Sequence, residues 1–219
     1  MAGMKSLMSL SADAPASFLA HSYVRVEFGQ GTRAWHDWRK QGIGASDAAS
    51  ILGENPFKTA NAVMAEKLSA TIETVNTTQV ALGVALEPNA RQAYCRSSLT
   101  AVEPACVQNT EHTWMRASLD GLSADGQRVI EIKCGRAAYW RTATTGRPPA
   151  YYVPQLQHIL AITGLPRIDF VCHFPPLRAI CLTIDRDDAY IARLVETEKG
   201  FWRQLVEMRM ARSSMAVAA

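Results

Sequence analysis

The sequence predicts an α/β fold, a mixed central sheet flanked by helices, and three observations carry that prediction. Helical signals dominate the first half of the chain. The middle changes to short runs with the period of two that strands show. Helix and strand then alternate up to a long final helix, the pattern of helices packed on a sheet.

Taken in order, Trp35 to Gln41 predicts a short helix ended by Gly42, and Ser46 is placed to cap a second over Asp47 to Leu52, ended by Gly53. Thr59 is placed to cap a third helix over Ala60 to Leu68. A longer one spans about Thr78 to Ser97 with Pro88 inside it. Leu99 to Val107, Thr113 to Leu119 and Arg128 to Cys134 predict strands, with Asp125 and Gly126 as a hairpin turn. Helices follow over Ala137 to Thr144 and Ala150 to Ile162, then strands over Ile168 to Phe174 and Ala179 to Ile184. The last helix begins near Asp187 and carries an apolar stripe of Tyr190, Leu194, Phe201, Leu205 and Met208.

Composition bounds the possibilities. The chain has 219 residues, 48% hydrophobic and 20% charged, enough for one domain with a full core. We divide it into an N-terminal extension over 1–30 and a single domain over 31–219. Ser11, Asp13 and Pro15 interrupt any signal-peptide core between Met1 and Ala20, which reads as a loose tail. No apolar run has membrane-spanning length, so the expected location is the cytoplasm, with no membrane partner. A net charge of +3 permits a nucleic-acid partner through a local patch but does not demand one. The five cysteines, Cys95, Cys106, Cys134, Cys172 and Cys181, are odd in number and form no C-x-x-C pair. That argues against a disulfide framework or a zinc ribbon and leaves buried thiols as the expectation.

The chemistry concentrates in Ser118-Leu119-Asp120-Gly121 and Val129-Ile130-Glu131-Ile132-Lys133. A two-residue turn at Asp125 and Gly126 pairs positions whose numbers sum to about 251, so Asp120 would face Glu131 and Ser118 would face Lys133. A regular hairpin would place these four on one face, with Leu119, Ile130 and Ile132 on the apolar other. Two facing carboxylates repel unless a cation lies between them, and oxygen ligands suit Mg²⁺, with Mn²⁺ as a substitute, better than zinc. The main-chain carbonyl of Ile132 adds a further ligand. Lys133 would orient the attacking water or lower its pKa. A cross-strand salt-bridge cluster on a solvated face is the plain alternative, and the isoleucines framing Glu131 count against it.

Asp120, ten residues, then Glu-Ile-Lys resembles the PD-(D/E)xK nuclease signature, with Leu119 where the name has proline. Trp35 to Arg39 followed by Gly42 to Asp47 resembles the first motif of the YqaJ-type viral recombinase nucleases, the family of lambda exonuclease. Leu82-Gly83 through Glu87-Pro88 is similar to their second motif, and Tyr151-Tyr152 through Gln155, Gln157 and His158 to their fourth. The resemblance runs from about Arg33 to Gly164. It implies a restriction-endonuclease-like core and a Mg²⁺-dependent 5′→3′ exodeoxyribonuclease acting on linear duplex ends. Such an enzyme releases mononucleotides and leaves a 3′ overhang for annealing.

By the same resemblance Glu87 joins Asp120, Glu131 and Ile132 at the metal, directly or through water, and Gln155 orients the water. Arg39, Ser46 and Ser118 form the pocket for a terminal 5′-phosphate. The plain reading of Glu87 is an i,i+4 ion pair with Arg91. His158 reads as structural, and Trp35 and Trp38 as packing the short helix. Lys58, Lys67, Arg136, Arg141 and Arg147 are unassigned candidates for a DNA channel. The resemblance further implies a homotrimeric ring around DNA, a phage single-strand annealing protein as partner, and phage or prophage origin. Two other readings stay open at this point: an endonuclease or resolvase on the same core, and a catalytically inactive DNA-end-binding scaffold. An iron–sulfur nuclease is disfavoured, because the cluster needs four well-placed cysteines.

Overall fold

The computed structural model describes residues 22–71 and 78–217, so the expected tail over Met1 to Ala20 lies outside the described residues. In chain order the elements are β1 (Tyr23–Val26), α1 (Arg33–Lys40), β2 (Ile43–Gly44), a 3-10 turn (Ala45–Asp47), α2 (Ala48–Ile51), α3 (Ala60–Leu68) and α4 (Thr78–Ser98). Then come β3 (Val102–Asn109), β4 (Met115–Ser123), β5 (Val129–Cys134), α5 (Arg136–Thr145), a 3-10 turn (Ala150–Tyr152) and α6 (Val153–Thr163). The chain continues through β6 (Arg167–His173), β7 (Ile180–Asp185) and α7 (Asp188–Val217).

One seven-stranded sheet runs in the order β1-β3-β4-β5-β6-β7, with β2 added in parallel beside the start of β4. Neighbours are antiparallel except β5 and β6, whose parallel pairing requires the crossover that α5 and α6 supply. The predicted α/β class with a mixed sheet is the fold observed. Two strands were not anticipated. β1 lies inside the stretch assigned to an N-terminal extension, yet its Tyr23 is buried and it pairs with β3 throughout, so the domain begins earlier than residue 31. β2 has two residues, too few to show any period.

Local chemistry explains most boundaries. The Thr32 hydroxyl accepts from the Trp35 N–H and starts α1 two residues earlier than expected, while Thr59 caps α3 through the Ala62 N–H as predicted. Ser46 caps nothing, contrary to expectation: it lies within the 3-10 turn, where the Asp47 carboxylate accepts from the Gly44 N–H. Asp187 caps the last helix by accepting from the Tyr190 N–H.

The decisive irregularity is in β4. Glu103 pairs with Leu122 and Ala105 with Leu119, so β4 spends one more residue than β3 over the same span. The extra residue is a β-bulge at Asp120 and Gly121, opposite Pro104, which has no N–H to offer a ladder. Its effect shows in the core. Leu119 lies in the larger hydrophobic cluster with Leu156, Ile159 and Leu194, while Ile130 and Ile132 lie in a smaller one with Ala90 and Tyr94 beneath α4. The expectation that Leu119 shares a face with both isoleucines is therefore corrected, because a bulge inverts the alternation.

The final helix buries Leu194, Phe201 and Leu205 against its own chain, while Met208 stays exposed. Most of the stripe is thus core. Further along α7, Arg209 donates to the carbonyls of Lys40 and Lys67, and Arg212 to that of Leu68. These guanidinium groups satisfy carbonyls at the C-terminal ends of α1 and α3. The cysteines are free, but only Cys106 and Cys172 are buried, and Cys181 is exposed.

Candidate active site

The β4–β5 hairpin has the predicted register over a short length only. Leu122 pairs with Val129 and Gly121 with Ile130, each summing as expected to 251, and there the ladder ends. The connection is four residues, Ala124 to Gln127, closed by the Ser123 N–H to the Arg128 carbonyl, rather than a two-residue turn. Beyond Ile130, β5 runs with β6, while the start of β4 lies between β3 and β2. The facing pair Asp120–Glu131 is therefore not formed as a ladder step. The Asp120 carboxylate instead fills the opening and accepts from the Ile132 N–H at 2.7 Å.

Glu131 is 2% exposed. Its Oε1 accepts from both Lys133 Nζ and Gln155 Nε2 at 2.6 Å, the second reaching across from α6. Its Oε2 is buried and has no hydrogen-bond partner. A buried carboxylate oxygen without a donor is costly and calls for a cation or an ordered water. Burial, then the charge of Glu131, pushes the Asp120 carboxyl well above its ordinary pKa, with Lys133 opposing. Burial works against the Lys133 ammonium, but the charges of Glu131 and Asp120 outweigh it and keep that pKa above the usual value. Lys133 is thus a cation in place, its Nζ 4.8 Å from the centre of the Tyr152 ring.

Among the described residues no three His, Cys, Asp or Glu side chains form a ready metal cluster. The donors that fit a cation are the two carboxylates, completed by the main chain, and the unpartnered Oε2 is the observation that fits them to one. Glu87 lines the same cleft from the interior of α4, just before Pro88, and its carboxylate pairs with Arg91. Burial raises the Glu87 pKa, Arg91 opposes this, and the nearby charge of Glu131 adds to it. The ion pair and the place at the cleft thus coexist. Arg91 also donates to the Asp120 main-chain carbonyl, and the i,i+4 spacing from Glu87 was the only signal for it in the sequence.

Glu87, Asp120, Glu131, Ile132, Lys133, Gln155, Arg39, Ser46 and Ser118 all line one cleft of about 1380 Å³. The last three also meet in a recess at its end, with Arg39 Nη2 donating to Ser46 Oγ at 2.9 Å. Trp35, expected only to pack its helix, donates from Nε1 to Ser118 Oγ at 2.8 Å, and the Arg39 guanidinium lies 4.6 Å over its ring. Each hydroxyl therefore already accepts an N–H, which leaves its own hydrogen to point at an anion. His158 is structural, as expected: fully buried, with Nδ1 2.8 Å from Glu198 Oε1 and Nε2 3.2 Å from the Arg116 carbonyl. Of the unassigned basic residues, Lys67 lines the cleft with its side chain 9% exposed and paired with Asp47.

A family model, the YqaJ-like viral recombinase domain, matches residues 34–166. Uncharacterized protein YqaJ of Bacillus subtilis is 25% identical over 177 residues, covering 78% of this chain and 56% of its own. The chain spans about half the length of the curated relatives it matches, 56% and 46%. An alkaline exonuclease from Laribacter hongkongensis is 28% identical, with a TM-score of 0.74 over 86% of this chain and 100% of its own. The same protein is also known in complex with dAMP. A phage-related exonuclease from Haemophilus somnus, 17% identical with a TM-score of 0.52, covers 76% of this chain and 96% of its own, and shows the fold alone.

Proposed function

The chain belongs to the YqaJ-like viral recombinase domain family, and we propose that it is a Mg²⁺-dependent 5′→3′ exodeoxyribonuclease acting on linear duplex ends. The observation that carries this reading is the unpartnered, buried Oε2 of Glu131 beside Asp120, at the point where two strands part inside a cleft. Asp120 and Glu131 would hold the divalent cation, with the Ile132 carbonyl and with Glu87 at one remove. When bound, it supplies a Lewis acid for the scissile phosphate and lowers the pKa of the attacking water.

The chain's own groups do the positioning. Lys133 and Gln155 both anchor Glu131 Oε1, which leaves the other oxygen free for a cation. Lys133 stays cationic and offsets charge building on the phosphate, so it acts as a donor rather than as a base. The carbonyl end of the Gln155 amide is left to accept from a water. Arg39, Ser46 and Ser118 would take a terminal 5′-phosphate, a dianion suited to a guanidinium fork and two hydroxyl donors. With that end anchored two residues from Asp120, the first phosphodiester lies at the carboxylates. The dAMP complex of the Laribacter exonuclease agrees with mononucleotide release. The family resemblance extends the proposal to a homotrimeric ring and to an annealing protein that receives the 3′ strand.

The test is a time course on matched linear duplexes differing only in the 5′-phosphate, with and without Mg²⁺. Wild type should digest the phosphorylated end faster, and Arg39→Ala should erase most of the preference, because such a contact is worth about 1.5–3 kcal/mol. Attack from the 3′ end, or cutting of circular duplex, would replace this reading with that of another nuclease on the same core. Light scattering that gave a monomer at micromolar concentration would remove the ring.

A further inference from the structure

A carboxylate lies beside the recess proposed for the terminal phosphate, on the wall of the same cleft. Asp47 is buried, and its Oδ2 accepts from the Gly44 N–H at 3.0 Å and from Lys67 Nζ at 2.8 Å. Lys67 Nζ also donates to the Arg39 main-chain carbonyl at 3.0 Å. A Cβ placed on Gly44 would stand 3.5 Å from Asp47 Oδ2, 3.6 Å from Arg39 Nη2 and 3.9 Å from Ser46 Oγ. One patch of backbone thus underlies the carboxylate, the guanidinium and the hydroxyl together.

A negative charge there has the wrong sign for a phosphate site. Unpaired, it would repel the dianion and attract the Arg39 guanidinium to itself. The Asp47 side chain is ionised at neutral pH: burial pushes its pKa up, but the charges of Lys67 and Arg39 win and hold it at about 2. Lys67 comes from α3, a different element from the one that carries Arg39, and its side chain is only 9% exposed. The Lys67 ammonium is held by Asp47 and by the Arg39 carbonyl.

We propose that Lys67 is a specificity-determining positioning residue, which neutralises Asp47 so that the charge of Arg39 remains available to a terminal 5′-phosphate. The proposal rests on the end-phosphate reading above. Its distinguishing content is the sign of the charge. If the pair were only a strut between α3 and the 3-10 turn, breaking it from either side would have the same effect. If it sets the field in the recess, the two sides act oppositely. Among Arg39, Asp47 and Lys67, removing Lys67 leaves no net charge, removing Asp47 leaves the positive charge of Arg39 and a second one while Lys67 keeps its proton, and removing both restores the single positive charge of the wild type.

The experiment measures the ratio of initial rates on 5′-phosphorylated and 5′-hydroxyl duplex for wild type, Lys67→Met, Asp47→Asn and the double variant, each checked for folding by thermal melting. Lys67→Met should lower the ratio about tenfold, the scale of one unit charge at this range with solvent partly screening it. Asp47→Asn, nearly isosteric, should hold or raise the ratio, and the double variant should return to within about twofold of wild type. Equal falls for Lys67→Met and Asp47→Asn would overturn the proposal. If Lys67→Met does not fold, the other two decide. A ratio at or above wild type in Asp47→Asn with a near-wild-type double supports it, and both below wild type overturns it. A wild-type ratio near one removes the end-phosphate reading itself, and this proposal with it. A normal wild-type preference with the wrong ordering of variants removes this proposal alone.

Discussion

Gly121→Ala tests whether the bulge sets the site. A Cβ at Gly121 would stand 2.7 Å from Val102 Cγ2 and 2.8 Å from Ile130 Cγ1. Both neighbours are enclosed, at 2% and 0% exposure, so neither side chain can swing away. Restoring an ordinary contact needs a separation larger by roughly 0.7 Å, and the backbone must provide it. Overpacking of this kind costs about 1–3 kcal/mol, which lowers Tm by roughly 3–10 °C for a chain of this size. Asp120 is the adjacent residue, so the shift reaches the carboxylate, and a misplacement approaching 1 Å costs up to about a hundredfold in rate. Urea denaturation and single-turnover cleavage of phosphorylated duplex measure the two effects. Adding Val102→Ala removes the nearer clashing carbon and should recover much of the rate but not the stability, since it opens a cavity. If Gly121→Ala stayed within about 0.5 kcal/mol and twofold of wild type, the bulge would not be what places Asp120.

Three further expectations follow from the buried charges. Asp120→Asn and Glu131→Gln should each abolish hydrolysis while largely preserving the fold, since each removes a negative charge that would hold the cation. Thermal melts should show Mg²⁺ stabilising wild type alone. Asp47 contributes on the order of 2 kcal/mol from its depressed pKa. Because the folded value lies below the unfolded one, that stability is present above about pH 4 and is lost as pH falls towards 2. The stability difference between wild type and Asp47→Asn should therefore shrink across that window, and a constant difference would exclude the linkage. His158→Phe strands the fully buried Glu198 and should cost about 3–5 kcal/mol. His158→Phe with Glu198→Leu should regain most of it, as chemical denaturation would show.

The parts of this fold that the sequence made legible are those written in local contacts. Thr59 followed by a helical run signals its own cap, and Gly53 ends its helix with the positive φ that only glycine adopts cheaply. The turn residues Asp125 and Gly126 predicted the hairpin register correctly at Gly121 and Leu122. What failed was the assumption that one register extends along the whole strand. A bulge is decided by the partner strand, here by Pro104 and the packing on Gly121, so alternation within β4 could not reveal it. Lys67 looked like a surface lysine because its partner, Asp47, lies twenty positions earlier and meets it only in the folded chain. Ser46 looked like a cap because capping is judged from neighbours, whereas its hydroxyl takes the Arg39 guanidinium instead.

The parting of β4 from β5 has an evolutionary reading. Longer strand pairing would stabilise this sheet, and here two adjacent strands stop pairing at Gly121–Ile130 with the Asp120 carboxylate filling the opening. A substitution that drew the strands together for two more residues would be rewarded by selection for stability alone. It would also take the Ile132 N–H from Asp120 and close the space in which the chemistry happens. Thermal adaptation in this lineage is therefore expected to accumulate elsewhere, along α7 and the outer strands, and to leave this seam unzipped.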